Sequence, residues 1–356
     1  MPSDEKSRKL LDAIAALPLG ETRIMEVCGT HTMAIAKSGI RSLLPPYIHL
    51  LSGPGCPVCV TVQEDLDAVL ELAMEPNLIL TGYGDMLRVP GSRRGDSLLR
   101  RRALGADVRI VYSPMDALAI AEEESGKQVV FLGIGFETTA PGTAAAVLAA
   151  KERGLKNFTL LSMLKSVEPA LRALLAMEDF AIDGFLCPGH VATVTGEKGF
   201  RFLAEEYGLP GVIGGFEPEE VLLAVYLLLK QISSGKAEIQ NAYPRAVKPD
   251  GNPLAQQMLY SAFELSAARW RGLGEIPESG FVLKPDLSDF DAAKRFAVCP
   301  KAAAPQNGCR CGDVITGLLR PQGCPLFGKA CTPEDPIGPC MVSSEGACAA
   351  AYKYQE

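Results

Sequence analysis

Residues 128–141 read Gln128-Val-Val-Phe-Leu-Gly-Ile-Gly-Phe-Glu-Thr-Thr-Ala-Pro141, and the fold class follows from this pattern. A short apolar run ends in glycine and continues into a helix-compatible segment, which is typical of a buried strand followed by a helix. Seven similar runs lie at residues 23–28, 49–52, 77–81, 107–112, 157–162, 184–187 and 211–213. Most are followed by helical patterns, such as residues 64–74 and 218–230. The alternation predicts βα units and parallel sheets.

The eight runs form two sets of four that resemble each other, which suggests a duplicated unit. We therefore predict an α/β fold with two similar parallel-sheet domains, at residues 21–122 and 123–232. A mixed, Cys-rich domain is predicted at residues 233–356, and it is expected to begin with a helical hairpin. Residues 1–20 are predicted to form an amphipathic helix that packs on the C-terminal domain.

The overall composition narrows the class of protein. The 356 residues are 47% hydrophobic and carry a net charge of −7, which argues against a nucleic-acid partner. No apolar run reaches the roughly 18 residues of a membrane span, and the N-terminus lacks the layout of a signal peptide. We therefore expect a cytoplasmic protein without a membrane partner. An arginine-rich stretch at residues 88–102 is either a solvated loop and helix start or a docking patch for an acidic partner or anion.

The distinctive polar motifs before the C-terminal region all lie at predicted strand ends. They are Cys28-Gly-Thr-His31, Gly53-Pro-Gly-Cys-Pro-Val-Cys59, Gly82-Tyr-Gly-Asp85, residues 133–141 and Cys187-Pro-Gly-His190. Sites in parallel α/β sheets form at the carboxyl ends of the strands. The loops of both domains are therefore expected to meet in one cleft.

Cys28 and His31 lie where the first predicted strand gives way to a helix. A helix N-terminus favours the thiolate, so we expect a lowered pKa for Cys28. The thiolate and the imidazole could share a metal ion or act as a nucleophile and its base. The alternative is a buried cysteine, a capping Thr30 and a structural histidine.

Cys56 and Cys59 form a C-x-x-C motif at a strand-to-helix turn. This spacing suits a reversible disulfide. Half of a zinc site and two unconnected buried thiols are the alternatives.

Glu137 and His190 are further candidates for the cleft. Glu137 could bind a ligand or cap a helix, and His190 could serve a metal or proton transfer or be structural. The G-x-G at residue 133 is weak support for a nucleotide site, because neither a G-x-G-x-x-G nor a Walker A motif is present.

The C-terminal region contains six of the eleven cysteines, interleaved with proline and glycine. They are Cys309, Cys311, Cys324, Cys331, Cys340 and Cys348. Such a segment has few apolar residues for a core, so coordination or covalent links must hold it together. Four thiolates suit a [4Fe–4S] cluster, and Cys324-Pro325 is typical of ferredoxin ligand segments. Zinc is the alternative, although paired C-x-x-C ligands are absent from this region.

Taken together, the motifs closely resemble those of the HypD family of hydrogenase expression/formation proteins. The resemblance is carried by Cys28-Gly-Thr-His-Thr-Met33, Gly53-Pro-Gly-Cys-Pro-Val-Cys59, Gly84-Asp-Met-Leu-Arg-Val-Pro90, Gly135-Phe-Glu-Thr-Thr-Ala-Pro141, Cys187-Pro-Gly-His190 and Cys324-Pro-Leu-Phe-Gly-Lys-Ala-Cys331. It extends over residues 28–354. The resemblance implies two α/β domains and a third domain with a [4Fe–4S] cluster. It also implies a scaffold for assembly of the Fe(CN)2CO unit of [NiFe]-hydrogenase, in complex with a HypC-type chaperone and a HypE-type cyanide donor.

The resemblance also implies roles for individual residues. Cys28 would bind the transient iron that carries cyanide and CO, with His31 close by. Cys56 and Cys59 would form a redox-active pair, and Glu137 and His190 would line the same cleft. The ligand spacing of the family selects Cys309, Cys324, Cys331 and Cys348 for the cluster, and it leaves Cys311 and Cys340 as a possible second thiol pair.

Two other functions compete with this interpretation. An iron–sulfur-dependent disulfide reductase would use the C-x-x-C to reduce a protein substrate without iron at Cys28. A zinc-stabilised binding protein would have no redox role.

Overall fold

All eight predicted strands are present in the structure, a computed structural model that describes residues 5–178, 180–301 and 308–355. Three more strands follow them in the chain. The strands are β1 (Thr22–Glu26), β2 (Ile48–Ser52), β3 (Leu78–Gly82), β4 (Asp107–Ile110), β5 (Gln128–Gly135), β6 (Phe158–Leu164), β7 (Gly184–Pro188), β8 (Gly211–Gly214), β9 (Ile239–Asn241), β10 (Phe263–Trp270) and β11 (Gly274–Leu283). The predicted α/β class with parallel sheets is confirmed.

Helices follow most of the strands, as the alternating pattern predicts. They are α1 (Glu5–Ala15), α2 (Gly29–Ser38), α3 (Ile40–Leu43), α4 (Pro57–Val60), α5 (Gln63–Leu72), α6 (Leu98–Ala103), α7 (Pro114–Glu123), α8 (Ala140–Glu152), α9 (Val167–Leu175), α10 (Gly189–Thr195), α11 (Arg201–Glu205), α12 (Pro218–Ser233), α13 (Pro253–Ala262), α14 (Ala292–Arg295), α15 (Cys311–Ile315) and α16 (Ala347–Tyr354). Among the described residues, no helix is long and apolar enough to span a membrane.

The strands group differently from the two consecutive sets of four that the sequence suggested. The first sheet has the order β2-β1-β7-β8-β9, and the second has the order β4-β3-β5-β6; both are parallel throughout. Residues 21–122 and residues 123–232 therefore each contribute strands to both sheets. The two sets look alike because every strand is buried in a parallel sheet, and this pattern does not encode which strands are neighbours.

The N-terminal helix α1 packs on α12, a helix that lies against the first sheet. Its predicted packing on the C-terminal domain is therefore wrong. Ile14 of α1 is fully buried in an apolar cluster with Leu228 of α12 and Ile24 of β1. Lys6 also forms an ion pair with Glu219 at the start of α12. The apolar stripe of α1 thus meets the apolar face of α12.

The predicted helical hairpin after residue 231 is also wrong, because this segment forms α13 and the antiparallel hairpin β10–β11. Gly272 and Gly274 adopt positive φ at the turn. Phe263 and Phe281 are buried against the second sheet, and Ser162 of β6 donates a hydrogen bond to the carbonyl of Phe281. The hairpin therefore packs against β6, the edge strand of the second sheet.

The C-terminal region is built from short helices and turns that pack on the first sheet's carboxyl edge. Helix α16 packs on α2, whereas α15 and the 3₁₀ turn Pro339–Met341 pack on α4. Helix α4 also contacts the end of β5 in the second sheet. The C-terminal cysteines and the strand-end motifs are thereby brought into one part of the molecule.

Candidate functional site

Cys28 and the C-x-x-C loop are neighbours because β1 and β2 are adjacent parallel strands. Glu26 pairs with Ser52 at the carboxyl ends of these strands. The amide of Gly29 donates to the carbonyl of Gly55 at 3.1 Å. A Cβ atom on Gly55 would lie 2.2 Å from the amide nitrogen of Cys28, so only glycine allows this approach.

Cys28 is a buried thiol at the N-cap of α2, with 7% of the residue exposed. Burial, together with the carboxylates of Glu345 and Glu26, raises the pKa of its thiol to about 12. The predicted lowering of this pKa is therefore wrong. Helix amides do favour the thiolate, but desolvation and two neighbouring carboxylates outweigh them. Bound cations stabilise thiolates, so this environment favours a cation at the sulfur.

Glu26 is a buried carboxyl group directly beneath Cys28. Its Oε2 atom accepts a hydrogen bond from the Cys28 amide at 3.2 Å, and Oε1 accepts one from the Thr32 hydroxyl at 2.6 Å. Burial raises its pKa to about 7, against the lowering effect of Thr32 and the positive charge of Arg41. The carboxyl group therefore fixes the end of β1 relative to the start of α2.

His31 is fully buried and packs towards the end of β8. Its Nε2 atom lies 2.9 Å from the carbonyl oxygen of Gly215, and its ring lies 4.7 Å from that of Phe216. Burial lowers its pKa to about 4, so the ring is neutral at neutral pH. Nε2 then donates to Gly215, and Nδ1 keeps a lone pair that has no partner among the described residues.

His190 also contacts Phe216. It follows β7, which is the neighbour of β1, and its exposed ring stacks on Phe216 at 3.9 Å. Partial burial lowers its pKa. The structure therefore brings His31 and His190 together around Phe216, as the ends of β1, β7 and β8 converge.

Cys56 and Cys59 are joined by a disulfide in α4. Cys59 is fully buried, and its amide donates to the Sγ atom of Cys56 at 3.1 Å. The Oγ atom of Ser343 in the C-terminal region lies 3.3 Å from the Sγ atom of Cys56. The disulfide is thus enclosed between the first sheet and the Cys-rich region.

Glu137 lies at the end of β5, in the second sheet. Its Oε1 atom accepts hydrogen bonds from the Ser166 hydroxyl and the Val167 amide, so it caps α9 rather than the helix that follows it in sequence. Its Oε2 atom is buried without a partner among the described residues, and burial raises the pKa of the carboxyl group. Glu137 and Val191 line one cavity of about 270 Å³, which lies between β5 and the helix that carries His190.

Glu345 places the C-terminal region directly over the start of α2. Its Oε1 atom accepts a hydrogen bond from the Thr30 hydroxyl at 2.8 Å, so Thr30 binds the C-terminal region instead of capping α2. A Cβ atom on Gly29 would lie 2.3 Å from the Cβ atom of Glu345. Cys28 is consequently covered by a loop that lies between two of the C-terminal cysteines.

The six C-terminal cysteines surround a single cavity. It is lined by Cys309, Cys311, Cys324, Cys331, Cys340 and Cys348. Cys311 interacts electrostatically with Cys309 and with Cys340, and Cys340 with Cys348. All six are free thiols. No group of three or more His, Cys, Asp or Glu side chains in the described ranges is arranged around one metal ion.

Comparison with known proteins assigns the chain to a family. Residues 5–355 match the family model described as "HypD: Hydrogenase formation hypA family". The chain belongs to the HypD family. It is 46% identical to the hydrogenase maturation factor HypD of Escherichia coli strain K12 over 335 residues, which cover 94% of this chain and 89% of that protein.

Two other HypD-family relatives are similarly close. The chain is 45% identical to the hydrogenase maturation factor HypD of Rhizobium leguminosarum bv. viciae, over 95% of this chain and 89% of that protein. It is 44% identical to the hydrogenase expression/formation protein HupD of Azotobacter chroococcum mcd 1, over 98% of this chain and 94% of that protein. The family function is hydrogenase maturation.

In this HypD-family chain, the first sheet carries most of the predicted site residues at one edge. Cys28, His31, Cys56, Cys59 and His190 all follow β1, β2 or β7. Glu137 belongs to the second sheet and approaches this edge from the side of α10. The C-terminal cysteines reach it through Ser343 and Glu345.

Sequence reasoning missed three residues of this region: Glu26, Phe216 and Glu345. Glu26 is a carboxylate inside an otherwise apolar strand, which is a detectable signal because buried charges need partners. Phe216 follows Gly214-Gly215 at a strand end, like the motifs that were identified. Glu345 has no sequence signal, since its partner Thr30 lies 315 residues away in the chain.

Proposed function

We propose that the chain is a scaffold on which the Fe(CN)2CO unit of [NiFe]-hydrogenase is assembled. The observation that carries this proposal is the position of Cys28, a thiol flanked by two carboxylates at the sheet edge that also holds the Cys56–Cys59 disulfide. In this proposal, a HypC-type chaperone and a HypE-type cyanide donor bind this edge in the cytoplasm. Family membership supports these partners.

Cys28 is the proposed ligand of the substrate iron. A soft thiolate suits low-valent iron that carries cyanide and CO. When they are ionised, the carboxyl groups of Glu26 and Glu345 oppose a bare thiolate but attract a cation, so they favour iron at this sulfur. The neutral ring of His31 and the exposed ring of His190 lie at the same edge, and the exposed ring of His190 can exchange protons with incoming ligands.

The C-terminal thiols fit a [4Fe–4S] cluster in their chemistry and arrangement. A four-iron cluster takes one thiolate at each iron, so its ligands surround a volume instead of a single point. Six free thiols around one cavity meet this requirement. We assign Cys309, Cys324, Cys331 and Cys348 as ligands, and the cluster would supply single electrons when bound.

Cys56 and Cys59 are the proposed redox-active pair. Reduction of their disulfide takes up two electrons and two protons and yields two thiols. Helix α4, which holds the pair, packs against the elements that carry Cys311 and Cys340. These two cysteines are the proposed second thiol pair, because the elements that carry them contact the helix of the disulfide.

Replacement of Cys28 tests the scaffold proposal. We expect Cys28→Ala to fold normally but to retain no iron with infrared bands of bound cyanide and CO, when purified without oxygen together with the chaperone. Hydrogenase maturation should stop in cells that contain only this variant. Cys299→Ala is the matched control, since Cys299 is an exposed free thiol that has no role in the proposed site. Normal maturation by Cys28→Ala would show that the proposed role is wrong.

Metal and sulfide analysis tests the cofactor assignment separately. Protein purified without oxygen is expected to hold about four iron and four acid-labile sulfide per chain in the C-terminal region. Iron above four would indicate occupancy at Cys28. Zinc without sulfide, persisting after anaerobic reconstitution, would overturn the cluster assignment and favour a zinc-stabilised binding protein.

A disulfide reductase is the second candidate function, favoured by the contact of the Cys56–Cys59 helix with the Cys-rich region. Such an enzyme would reduce a disulfide substrate repeatedly and would not need Cys28. Turnover of a protein disulfide by the Cys28→Ala variant would support it, whereas turnover by neither the variant nor the unmodified chain would exclude it.

A further inference from the structure

A cavity of about 720 Å³ lies between the edge of the first sheet and the C-terminal region. One wall is formed by the end of β2 and by α3, and the other by residues 314–323 and α16. Its volume lies within the roughly 300–1,000 Å³ of small-molecule sites. Within the described ranges, its lining includes neither Cys28 nor the disulfide nor any C-terminal cysteine. The cavity is therefore distinct from the site described above.

The lining of this cavity is positively charged. It includes Arg41 and Arg320, the hydroxyls of Ser42 and Ser52 and the amide of Gln322, and no acidic side chain among the described residues. Arginine is well suited to bind carboxylate and phosphate groups, because its planar guanidinium presents a fork of donors. The charge of the lining therefore favours an anion.

Both guanidinium groups are held in place by residues of β2 and its neighbours. Arg41 donates from Nε to the carbonyl of Leu50 and from Nη2 to the hydroxyl of Ser52, both at 3.3 Å. The Nη2 atom of Arg320 lies 3.0 Å from Nδ1 of His49, whose Nε2 lies 2.6 Å from Glu21. These contacts orient the two cations before any ligand binds, which reduces the entropic cost of binding.

The rest of the lining is apolar. Leu51, Val314, Leu319 and Tyr354 line the same cavity. A bare inorganic ion would leave this surface without contacts, whereas an organic anion would cover it. Apolar walls with a few oriented polar groups are the usual composition of small-molecule sites.

We propose that this cavity binds a small organic anion through Arg41 and Arg320. The ligand carries a phosphate or carboxylate group, and its apolar part lies against Leu51 and Leu319. The proposal goes beyond the assembly of an iron unit and does not depend on it, because neither iron nor a partner protein takes part in this binding.

The cavity also adjoins the Cys28 region through one residue. The positive charge of Arg41 acts on the buried Glu26, which accepts the hydrogen bond of the Cys28 amide. An anion held by Arg41 therefore lies two side chains away from the proposed iron thiol.

Calorimetric binding with defined probes tests the proposal on the full chain. Phenyl phosphate and pyrophosphate form the phosphate arm, phthalate and citrate form the carboxylate arm, and phenol is the neutral control. We expect saturable binding of at least one aromatic anion and none of phenol. Stronger binding by phenyl phosphate would identify a phosphate ligand, and stronger binding by phthalate a carboxylate ligand.

Three variants locate the binding. Arg320→Gln is expected to weaken binding about tenfold or more, since a charge-assisted hydrogen bond contributes about 1.5–3 kcal/mol. Ser42→Trp, which fills the cavity from its exposed rim without changing the charge, should abolish binding. Arg102→Gln is the matched control, because Arg102 is an exposed arginine of α6 outside the cavity.

The proposal is overturned if no anion binds saturably, or if Arg102→Gln weakens binding as much as Arg320→Gln. Binding that survives Ser42→Trp would also overturn it, since the ligand would then lie elsewhere. None of these outcomes bears on hydrogenase maturation, which is measured separately with Cys28→Ala.

Discussion

Glu26 is a carboxyl group in a position where a charge is costly. It lies at the end of β1 with no exposed surface, and its hydrogen bonds come from Thr32 and the Cys28 amide. These neutral donors compensate only part of the desolvation of the charged form. Glu26 is consequently retained at the expense of stability, as expected for a residue that serves the site next to it.

Glu26→Gln is expected to change how stability depends on pH. The pKa of Glu26 is raised from 4.5 to about 7, so the folded chain keeps a proton that the unfolded chain releases between these values. The free energy of unfolding therefore falls as pH rises through this window, by about 3 kcal/mol for this group. Glutamine has no proton to lose, so the variant should not show this fall. The difference in unfolding free energy between Glu26→Gln and the unmodified chain, measured in urea, should therefore shift in favour of the variant as pH rises from 5 to 8.

The control for this prediction is Glu152→Gln, at an exposed glutamate of α8. It should leave the pH profile of the unfolding free energy unchanged. A profile of Glu26→Gln parallel to that of the unmodified chain would mean that Glu26 is not buried as a carboxyl group with a raised pKa.

Gly55→Ala is expected to destabilise the chain, because the new Cβ atom would meet backbone atoms. It would lie 2.2 Å from the Cys28 amide nitrogen and 2.4 Å from the Val27 carbonyl carbon. Backbone cannot move aside as a flexible side chain can, so we expect a loss of at least about 2 kcal/mol in urea unfolding. Gly126→Ala, which has nothing within 4 Å of the new atom, should change stability by less than about 0.5 kcal/mol. Equal effects of the two substitutions would contradict the close approach at Cys28.

The residues of the site differ in how far sequence could predict them. Cys28, Cys56 and Cys59 were identifiable because thiols at strand ends form a local pattern, and the structure joins two of them in a disulfide. The raised pKa of Cys28 was not predictable, since one of its causes, Glu345, comes from a distant part of the chain. Local spacing therefore identified the reactive groups but not the environment that sets their chemistry.

At the scale of elements, a short segment after β3 holds the Cys-rich region in place. The 3₁₀ turn Gly84–Arg88 carries Asp85, whose Oδ2 atom accepts hydrogen bonds from the amide and hydroxyl of Ser344 at 2.9 and 2.6 Å. Arg88 donates to the carbonyl of Pro333, and Arg94 pairs with Asp335. Part of the arginine-rich stretch therefore binds the same chain, which was neither of the two roles expected from sequence.

Asp85→Ala should loosen the loop that covers Cys28. Removal of the carboxylate removes two exposed hydrogen bonds from Ser344, at a cost of about 0.5–1.5 kcal/mol each. We expect faster hydrogen exchange for the amides of residues 343–348 and no change in α1 and α12. Asp335→Ala is the control, because its ion pair with Arg94 is exposed and contributes less than about 1 kcal/mol. Unchanged exchange in Asp85→Ala would show that other contacts hold this loop.

The elements themselves were predictable to different degrees. The eight strands of the two parallel sheets were identifiable because each is a continuous apolar run, as expected for strands buried on both faces. The hairpin β10–β11 was missed, since its burial alternates irregularly around a bulge near Ser266 and Ala268. Its position is determined by packing on the second sheet, which the local sequence does not report.

At the scale of the whole molecule, the chain leaves the first sheet after β2, builds the second sheet and then returns. Strand β1 lies between β2 and β7, although β7 lies more than 150 residues further along the chain. Cys28 and His190 share a sheet edge only because of this return. The strands of the second sheet, β3 to β6, thus lie in the chain between β2 and β7 of the first sheet. No local pattern in the sequence encodes this order, although the site depends on it.

This topology predicts which strands lose protection together. Val212 of β8 and Val130 of β5 are both fully buried, one in each sheet. Replacing either valine with alanine removes buried methyl groups and should cost about 1–3 kcal/mol. Because sub-global opening follows contiguous structural units, Val212→Ala should speed hydrogen exchange in β1, β2 and β7 and leave β5 and β6 protected. Val130→Ala should do the reverse, loosening β3, β4 and β6. If Val212→Ala instead loosened β5 and β6, the cooperative units would follow the chain, as the division at residue 123 suggested, and the shared edge of Cys28 and His190 would not behave as one unit.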